Sequence, residues 1–69
     1  MSNYKLLPRT NADRERIVNW ANQHKHPIES ERDADGAVVF GFDSNDLRSA
    51  TIHSSLKQIA VYGEAKLND

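Results

Sequence analysis

Apolar residues recur at helical spacing in the first third of the chain. The stripe consists of Ile17, Trp20, Ala21 and His24. These positions follow the i, i+3, i+4, i+7 order of one narrow helical face. Thr10 with Asp13 supplies a shortened capping box ahead of the stripe, and Pro27 forces the residue before it out of the helical region. The pattern therefore predicts a helix over residues 12–25.

The segment 28–42 predicts a β-hairpin, with Asp35-Gly36 as the turn dipeptide. A two-residue turn would place both phenylalanines opposite acidic residues. A three-residue loop over residues 34–36, with Gly36 in the left-handed conformation, avoids this conflict. It pairs Ile28 with Phe42, Ser30 with Phe40 and Arg32 with Val38. Because a one-residue slip exchanges the two faces of a strand, burial of the aromatic rings favours the longer loop, and both phenylalanines are expected to point into the core.

A second helix is expected after the hairpin. Its apolar positions are Leu47, Ile52, Leu56, Ile59 and Ala60. Asp43 or Ser44 is the expected N-cap, with Asp46 in the first turn. Gly63 suits the position just after the helix C-terminus. The end of this segment leaves the helical stripe, so a strand over residues 58–62 is the alternative prediction.

The two ends of the chain complete the predicted fold. Residues 1–9 form either a short edge strand or an ordered arm, which Pro8 terminates, and residues 64–69 are expected to be a mobile tail. The prediction is one α+β domain over residues 1–69, ordered from about residue 4 to residue 63. Its order is helix–β-hairpin–helix (αββα), with two helices on one face of a small antiparallel sheet and an N-terminal edge strand as an optional addition.

Composition narrows the class of protein. The 69 residues hold nine Lys and Arg against ten Asp and Glu, a net charge of −1, so no overall field attracts nucleic acid or acidic lipid. No apolar run approaches the roughly 20 residues of a transmembrane helix, and the first five residues lack the apolar stretch of a secretory signal. The absence of cysteine rules out disulfides and cysteine-ligated zinc, and a cytoplasmic location is expected. One core in so short a chain contributes only about 3–5 kcal/mol, so tight helix–sheet packing, self-association or docking onto a partner must add stability.

No cofactor, metal or catalytic site is predicted. The acidic residues of the hairpin tip begin like a calcium-binding loop, but Phe42 occupies the position where such a loop needs a bidentate glutamate. His24, His26 and His53 lack the spacing of a zinc site. The two serines that follow His53 are its neighbours on a predicted helix and point in other directions, so they cannot share a proton with it productively. A non-enzymatic protein is therefore expected.

Charge is unevenly distributed along the chain. Residues 1–27 contain five basic and two acidic residues, a net charge of +3, whereas residues 28–46 contain one basic and six acidic residues, a net charge of −5. The basic part supports an alternative function, a small nucleic-acid-binding module. Its contacts would come from Arg9, Arg14, Arg16 and Lys25. The helix–strands–helix order, with the segment 46–60, also resembles double-stranded-RNA-binding domains and the HicA-type RNA-cleaving toxins built on that plan, although the toxins' histidine in a glycine-containing strand motif has no counterpart.

The acidic part supports the main functional hypothesis, a small non-enzymatic protein-interaction module. The hairpin is expected to turn carboxylates outward beside small apolar positions. The predicted binding residues are Glu29, Glu31, Asp33, Asp35 and Val39, with Ala37 and Gly41 beside them. An open strand edge would allow main-chain pairing with a second chain, and Tyr4, Trp20 and Tyr62 are anchors of the kind enriched at interfaces. A regulator or inhibitor of a larger protein fits this pattern, by analogy with small bacteriophage and mobile-element proteins, and a structural homodimer is the second alternative.

Overall fold

The computed structural model describes residues 3–64 and contains two helices and a four-stranded antiparallel sheet. In chain order the elements are β1 (Lys5–Pro8), α1 (Asn11–Gln23), β2 (Ile28–Ser30), β3 (Val38–Phe40), α2 (Leu47–Leu56) and β4 (Tyr62–Glu64). The α+β class and both predicted helices are confirmed. Most of the predicted mobile tail, residues 65–69, lies outside the described residues.

Helix α1 begins at Asn11, one residue before the predicted start, and ends slightly early; its N-cap is Thr10, as the capping pattern predicts. Thr10 Oγ1 accepts a hydrogen bond from the Asp13 main-chain N–H (3.2 Å) and donates one to the Asp13 carboxylate (2.9 Å). At the other end, Lys25 adopts a left-handed conformation with φ of 59°. Its N–H and that of the following residue bond to carbonyls of the last helical turn, which is the Schellman arrangement of a helix C-terminus. The helix therefore stops at Gln23 rather than at Lys25.

The strands lie in the order β2-β3-β1-β4, and every neighbouring pair is antiparallel. β1 and β2, which α1 joins, are therefore parallel to each other with β3 between them. β3 and β4, which α2 joins, lie on either side of β1 in the same way. The sheet consists of two interlocked split βαβ units. The optional N-terminal strand is thus present, but it is an interior strand and not an edge strand.

The position of Pro8 in the ladder explains why an interior strand tolerates it. The Arg9 N–H donates to the Val61 carbonyl (3.0 Å), so these residues form a hydrogen-bonded pair. The preceding pair, Pro8 with Tyr62, is then a non-hydrogen-bonded pair. The nitrogen of a proline in such a pair points away from β4, toward the side of β1 on which β3 lies. β3 does not extend as far as Pro8, because the pairing of β1 with β3 ends at Leu6. No ladder hydrogen bond is lost.

The register of the hairpin differs from the prediction. Ile28 lies opposite Phe40 rather than Phe42. Ser30 lies opposite Val39 rather than Phe40, and the ladder is irregular between the two pairs. The strands are consequently shorter than predicted, and residues 31–37 connect them in place of the three-residue loop.

Asp33 organises this longer connection. Its carboxylate accepts hydrogen bonds from the N–H groups of Asp35 (2.9 Å) and Ala37 (2.8 Å). The Asp33 N–H in turn donates to the Ala37 carbonyl (3.0 Å). Gly36 has φ of 82°, which confirms its predicted left-handed conformation. The alternation of apolar residues contains no information about hydrogen bonds from a side chain to the loop backbone. The alternation therefore predicted which strand residues face the core better than it predicted the length of the loop.

Both phenylalanines are buried, as predicted, although Phe42 lies beyond the end of β3. Phe40 is fully buried and Phe42 is 7% exposed. The Phe42 ring stacks on Tyr4 with centroids 5.9 Å apart, and the Phe40 centroid lies 5.4 Å from the same tyrosine. The main chain of Tyr4 also donates to the Phe42 carbonyl and accepts from the Phe40 N–H. Tyr4 therefore takes the place beside Phe42 that the predicted register assigned to Ile28.

Helix α2 starts later than predicted. Its N-cap is Asp46, rather than Asp43 or Ser44, and the Asp46 carboxylate accepts a hydrogen bond from the Arg48 N–H (2.8 Å). The next residue, Leu47, opens the helix and is 89% exposed, although its spacing had assigned it to the apolar stripe.

The same helix ends earlier than predicted. It stops at Leu56, a turn over residues 57–59 follows, and the chain then enters β4. Gly63 consequently lies in a strand and not at a helix C-terminus. The alternative prediction of a strand in this region is correct in kind, although the strand covers Tyr62–Glu64 instead of 58–62.

One core joins both helices to the same face of the sheet. Its largest fully buried side chains are Phe40, Leu6, Ile17, Ile52, Leu56 and Val38. Because these residues come from β1, β3, α1 and α2 and form one cluster, both helices pack on one sheet face, as predicted. The opposite face is called the helix-free face below. Neither helix in the part of the chain that the structure describes is long and apolar enough to cross a membrane.

Candidate protein-interaction surface

β2 forms one edge of the sheet. The Gly41 N–H donates to the Pro27 carbonyl (3.0 Å), and the Phe40 N–H donates toward β1. Ile28 and Phe40 are therefore a non-hydrogen-bonded pair, so the N–H and C=O of Ile28 point away from β3. Main-chain groups in this orientation are the ones with which a further strand would pair.

Three exposed carboxylates extend along this edge and the loop that follows it. Glu29, Glu31 and Asp35 together form the acidic edge. Glu29 accepts a hydrogen bond from Asn3 Nδ2 (2.7 Å), and none of the three carboxylates forms an ion pair with a described residue. The aspartates that do form ion pairs are each bound to a cation of the chain itself; they are Asp13, Asp33 and Asp46. The acidic edge is therefore negative charge that no ion pair among residues 3–64 neutralises.

Asp33, which the sequence placed with these carboxylates, holds the loop instead. Lys5 Nζ lies 3.1 Å from its carboxylate, in addition to the two amide groups already described. The hydrogen bond from the Ala37 N–H is the largest influence that lowers the pKa of Asp33, and Lys5 lowers it further against the opposing effect of burial. The carboxylate thus fastens the loop to β1, and its binding capacity is largely used within the fold.

The apolar positions predicted beside the carboxylates are not exposed. Val39 is 5% exposed and Ala37 is fully buried, so only Gly41 of the three lies at the surface. Val39 has Lys5 opposite on one side and Ser30 opposite on the other, because β3 is an interior strand. A two-stranded hairpin would have left this side chain open. Val39 therefore cannot present a side chain to a partner at this edge.

The basic residues of the nucleic-acid alternative do not form one patch. They are Arg9, Arg14, Arg16 and Lys25. Arg16 Nη1 lies 2.8 Å from Asp13 Oδ1, and Arg14 Nη1 donates to the Glu31 carbonyl (2.8 Å). Lys25 follows α1 and lies about 16 Å from Arg14 along the helix axis. The first helix thus presents separated cations, two of which make contacts within the fold.

A cluster of aromatic rings at the end of α1 was not predicted. The indole of Trp20 stacks on the imidazoles of His24 and His26, with centroids 4.4 and 5.2 Å apart. The two imidazole centroids are 6.3 Å apart. The three rings therefore form one cluster at the C-terminal end of α1. His26 reaches this position because Lys25 turns the chain left-handed.

This aromatic cluster is close to the start of α2. Burial, followed by the positive charges of His24 and Arg48, lowers the pKa of His26. The Arg48 guanidinium also lies 4.3 Å from the centre of the Phe42 ring, and it forms an ion pair with Asp46 (2.9 Å). The imidazole of His26 therefore lies within electrostatic range of Arg48 in the first turn of α2.

The aromatic residues proposed as interface anchors mostly serve the core. Tyr4 is 5% exposed, whereas Trp20 and Tyr62 are half-buried and pack against the core cluster. The Tyr62 hydroxyl lies 2.9 Å from His53 Nδ1. Their amphipathic rings therefore pack within the fold, which is the usual structural role of such residues.

Neither metal chemistry nor homology identifies a site. Within residues 3–64, no three His, Asp or Glu side chains come together so that they could hold a metal ion. Comparison of the chain with protein-family models, with curated proteins and with solved structures finds no match.

Proposed function

We propose that this chain is a small non-enzymatic protein-interaction module that binds a basic segment of a larger protein and acts as its regulator or inhibitor. The supporting observation is the acidic edge, whose carboxylates are exposed and form no ion pair with a described residue. Such charges accelerate the approach of a cationic partner and select its orientation. The outward N–H and C=O of Ile28 lie on the same edge and offer main-chain hydrogen bonds to the partner.

The proposed location is the cytoplasm. Disulfide bonds do not persist in that reducing compartment, so a chain without cysteine is at no disadvantage there. A homodimer is a second candidate, which the exposed side chains of Leu7 and Val61 on the helix-free face favour. The nucleic-acid alternative has weaker support, because Arg14 and Arg16 make contacts within the fold.

Affinity capture from an extract of the host cell, followed by binding measurements with the purified partner, tests the acidic edge. Glu29→Lys combined with Glu31→Lys is expected to weaken binding by at least about tenfold, equivalent to about 1.4 kcal/mol. The matched control is Glu15→Lys combined with Asp43→Lys, an equal change of charge at exposed residues outside β2 and the loop that follows it. Added salt should weaken binding of the wild type more than binding of the first variant.

Unchanged binding after the substitutions in β2 would refute the proposed surface. An equal loss in both double variants would show that net charge, rather than the acidic edge, controls association. The nucleic-acid alternative makes a separate prediction, because Arg14→Glu combined with Arg16→Glu should then abolish a mobility shift of DNA or RNA. No shift of the wild type at low salt would dismiss that alternative.

A further inference from the structure

The helix-free face of the sheet carries an apolar strip formed by Leu7 of β1 and Val61, the residue before β4. Leu7 is 43% exposed and Val61 is 53% exposed. Leu7 lies opposite Gly63, so Val61, two residues before Gly63, is its diagonal neighbour on the same face. Gly63 contributes no side chain, and apart from its chain neighbours no residue from 3 to 64 has an atom within 4 Å of the point where its Cβ would be. The strip is therefore accessible to another surface.

Charges of opposite sign lie on the two sides of Leu7 along the strand direction, with Arg9 beyond it in β1 and Glu29 near the level of Lys5 in β2. Arg9 continues the outward alternation of β1 beyond Leu7 and lies beside Val61, whose carbonyl accepts its N–H. Glu29 points to the same face from β2, because its neighbour Ile28 packs against the core on the other face. Neither Arg9 nor Glu29 forms an ion pair with any residue from 3 to 64.

We propose that a second copy of this chain covers the helix-free face, with the two sheets packed face to face about a two-fold axis near Leu7. Every contact across a two-fold axis occurs twice. Leu7 of each copy packs on Leu7 of the other, Val61 is buried within the same contact, and Arg9 of each copy reaches Glu29 of the other. A face that carries a cation, Leu7 and an anion in this order along the strands is complementary to itself about such an axis.

The charges on this face favour a second copy over a different partner. The remaining pair on the face, Lys5 with Asp33, is neutral as a unit. A partner of a single charge sign would pair with Arg9 or with Glu29 and face repulsion at the other, whereas a second copy pairs with both. The net charge of −1 opposes self-association only weakly. A shared apolar strip also enlarges the buried area of a chain whose own core is small.

Sedimentation equilibrium of the purified chain at micromolar concentration tests this dimer. The wild type is expected to dimerise, and Arg9→Glu or Glu29→Lys alone should each weaken the dimer at least about tenfold. The variant that carries both substitutions should recover the dimer, because it exchanges the two charges across the interface. Val61→Lys should dissociate the dimer, whereas the matched change Leu47→Lys, at a leucine that is 89% exposed in α2, should leave it intact.

A wild type that stays monomeric at high micromolar concentration would overturn the proposal. Failure of the charge exchange to restore the dimer would overturn it as well, as would a dimer that tolerates Val61→Lys. Circular dichroism and thermal unfolding of each variant separate loss of the dimer from loss of the fold. Because only the purified chain is present, failure of this dimer is distinguishable from failure of the acidic-edge proposal, which requires a partner.

Discussion

Asp13 Oδ1 accepts a hydrogen bond from the Val61 N–H, which is 3.2 Å away and 48 residues further along the chain. The same carboxylate bonds to Thr10 at the start of α1 and to Arg16 Nη1 (2.8 Å). The Val61 N–H is the largest influence that lowers the pKa of Asp13, and Thr10 contributes next. One buried side chain therefore joins the first turn of α1 to the segment that enters β4.

Replacing this carboxylate should destabilise both ends of the contact. Asp13→Ala is expected to lower Tm by about 4–8 °C, which corresponds to the loss of about one helix cap in a domain of this size. Thr10→Ala removes the N-cap oxygen but keeps the bond to Val61, so its effect should be smaller. Thermal denaturation followed by circular dichroism measures both changes. A larger loss in Thr10→Ala would show that capping, and not the contact with Val61, dominates.

The aspartates in ion pairs predict a loss of stability in acid. Hydrogen bonds from the side chain and the N–H of Arg48 lower the pKa of Asp46 to about 2, and the pKa values of Asp13 and Asp33 also lie below 3.8. A carboxyl with a lowered pKa in the folded state stabilises that state only while it is charged. The contribution is complete above about pH 4 and is lost as the pH falls toward about 2. Urea unfolding over this pH range should show the decline in the free energy of unfolding. An equally steep decline in Asp46→Asn would show that protonation of Asp46 does not contribute to it.

The cluster around Trp20 predicts a second pH dependence nearer neutrality. Burial, His24 and Arg48 hold the pKa of His26 below 6.5, so the unfolded chain binds this proton first as the pH falls. The contribution of His26 to the free energy of unfolding should therefore be highest above about pH 6.5, decrease as the pH falls from there to the folded-state pKa, and change no further below it. His26→Gln should remove that part of the decrease. In His24→Gln, an NMR titration should show the pKa of His26 closer to 6.5, and no change would exclude His24 as a cause.

The correct predictions of the fold depend on signals that are local in sequence. The cap at Thr10, the left-handed Gly36 and the burial of Phe40 each follow from a few neighbouring residues. The pairing of Leu7 with Gly63 joins segments that are far apart in the chain, and a three-residue strand such as β4 has too few positions to show alternation. The interior position of β1 and the early end of α2 both follow from that pairing, so local patterns could not predict them.

In the candidate site, too, the sequence predicted what depends on neighbouring residues and missed what depends on distant ones. Exposure of Glu29 and Glu31 follows from their charge, and the structure places both at the surface. The roles of Asp33 and Val39 depend on β1. This strand supplies Lys5, the ion-pair partner of Asp33, and it lies beside Val39 in the sheet. Alternation within a hairpin contains no information about a third strand. The stacking of His26 on the indole likewise required the left-handed residue before it.

That left-handed residue, Lys25, allows a direct test of backbone strain. Its φ of 59° lies in a region that costs an ordinary residue about 1–2 kcal/mol. Lys25→Gly should raise the free energy of unfolding by about 0.5–1 kcal/mol, because glycine relieves the strain but gains freedom in the unfolded chain. Lys57→Gly is the matched control, since Lys57 follows α2 with φ of −54° in the right-handed region. Urea denaturation should show a gain at the first position and a loss at the second, whereas a loss at both would mean that the Lys25 side chain contributes more than its backbone costs.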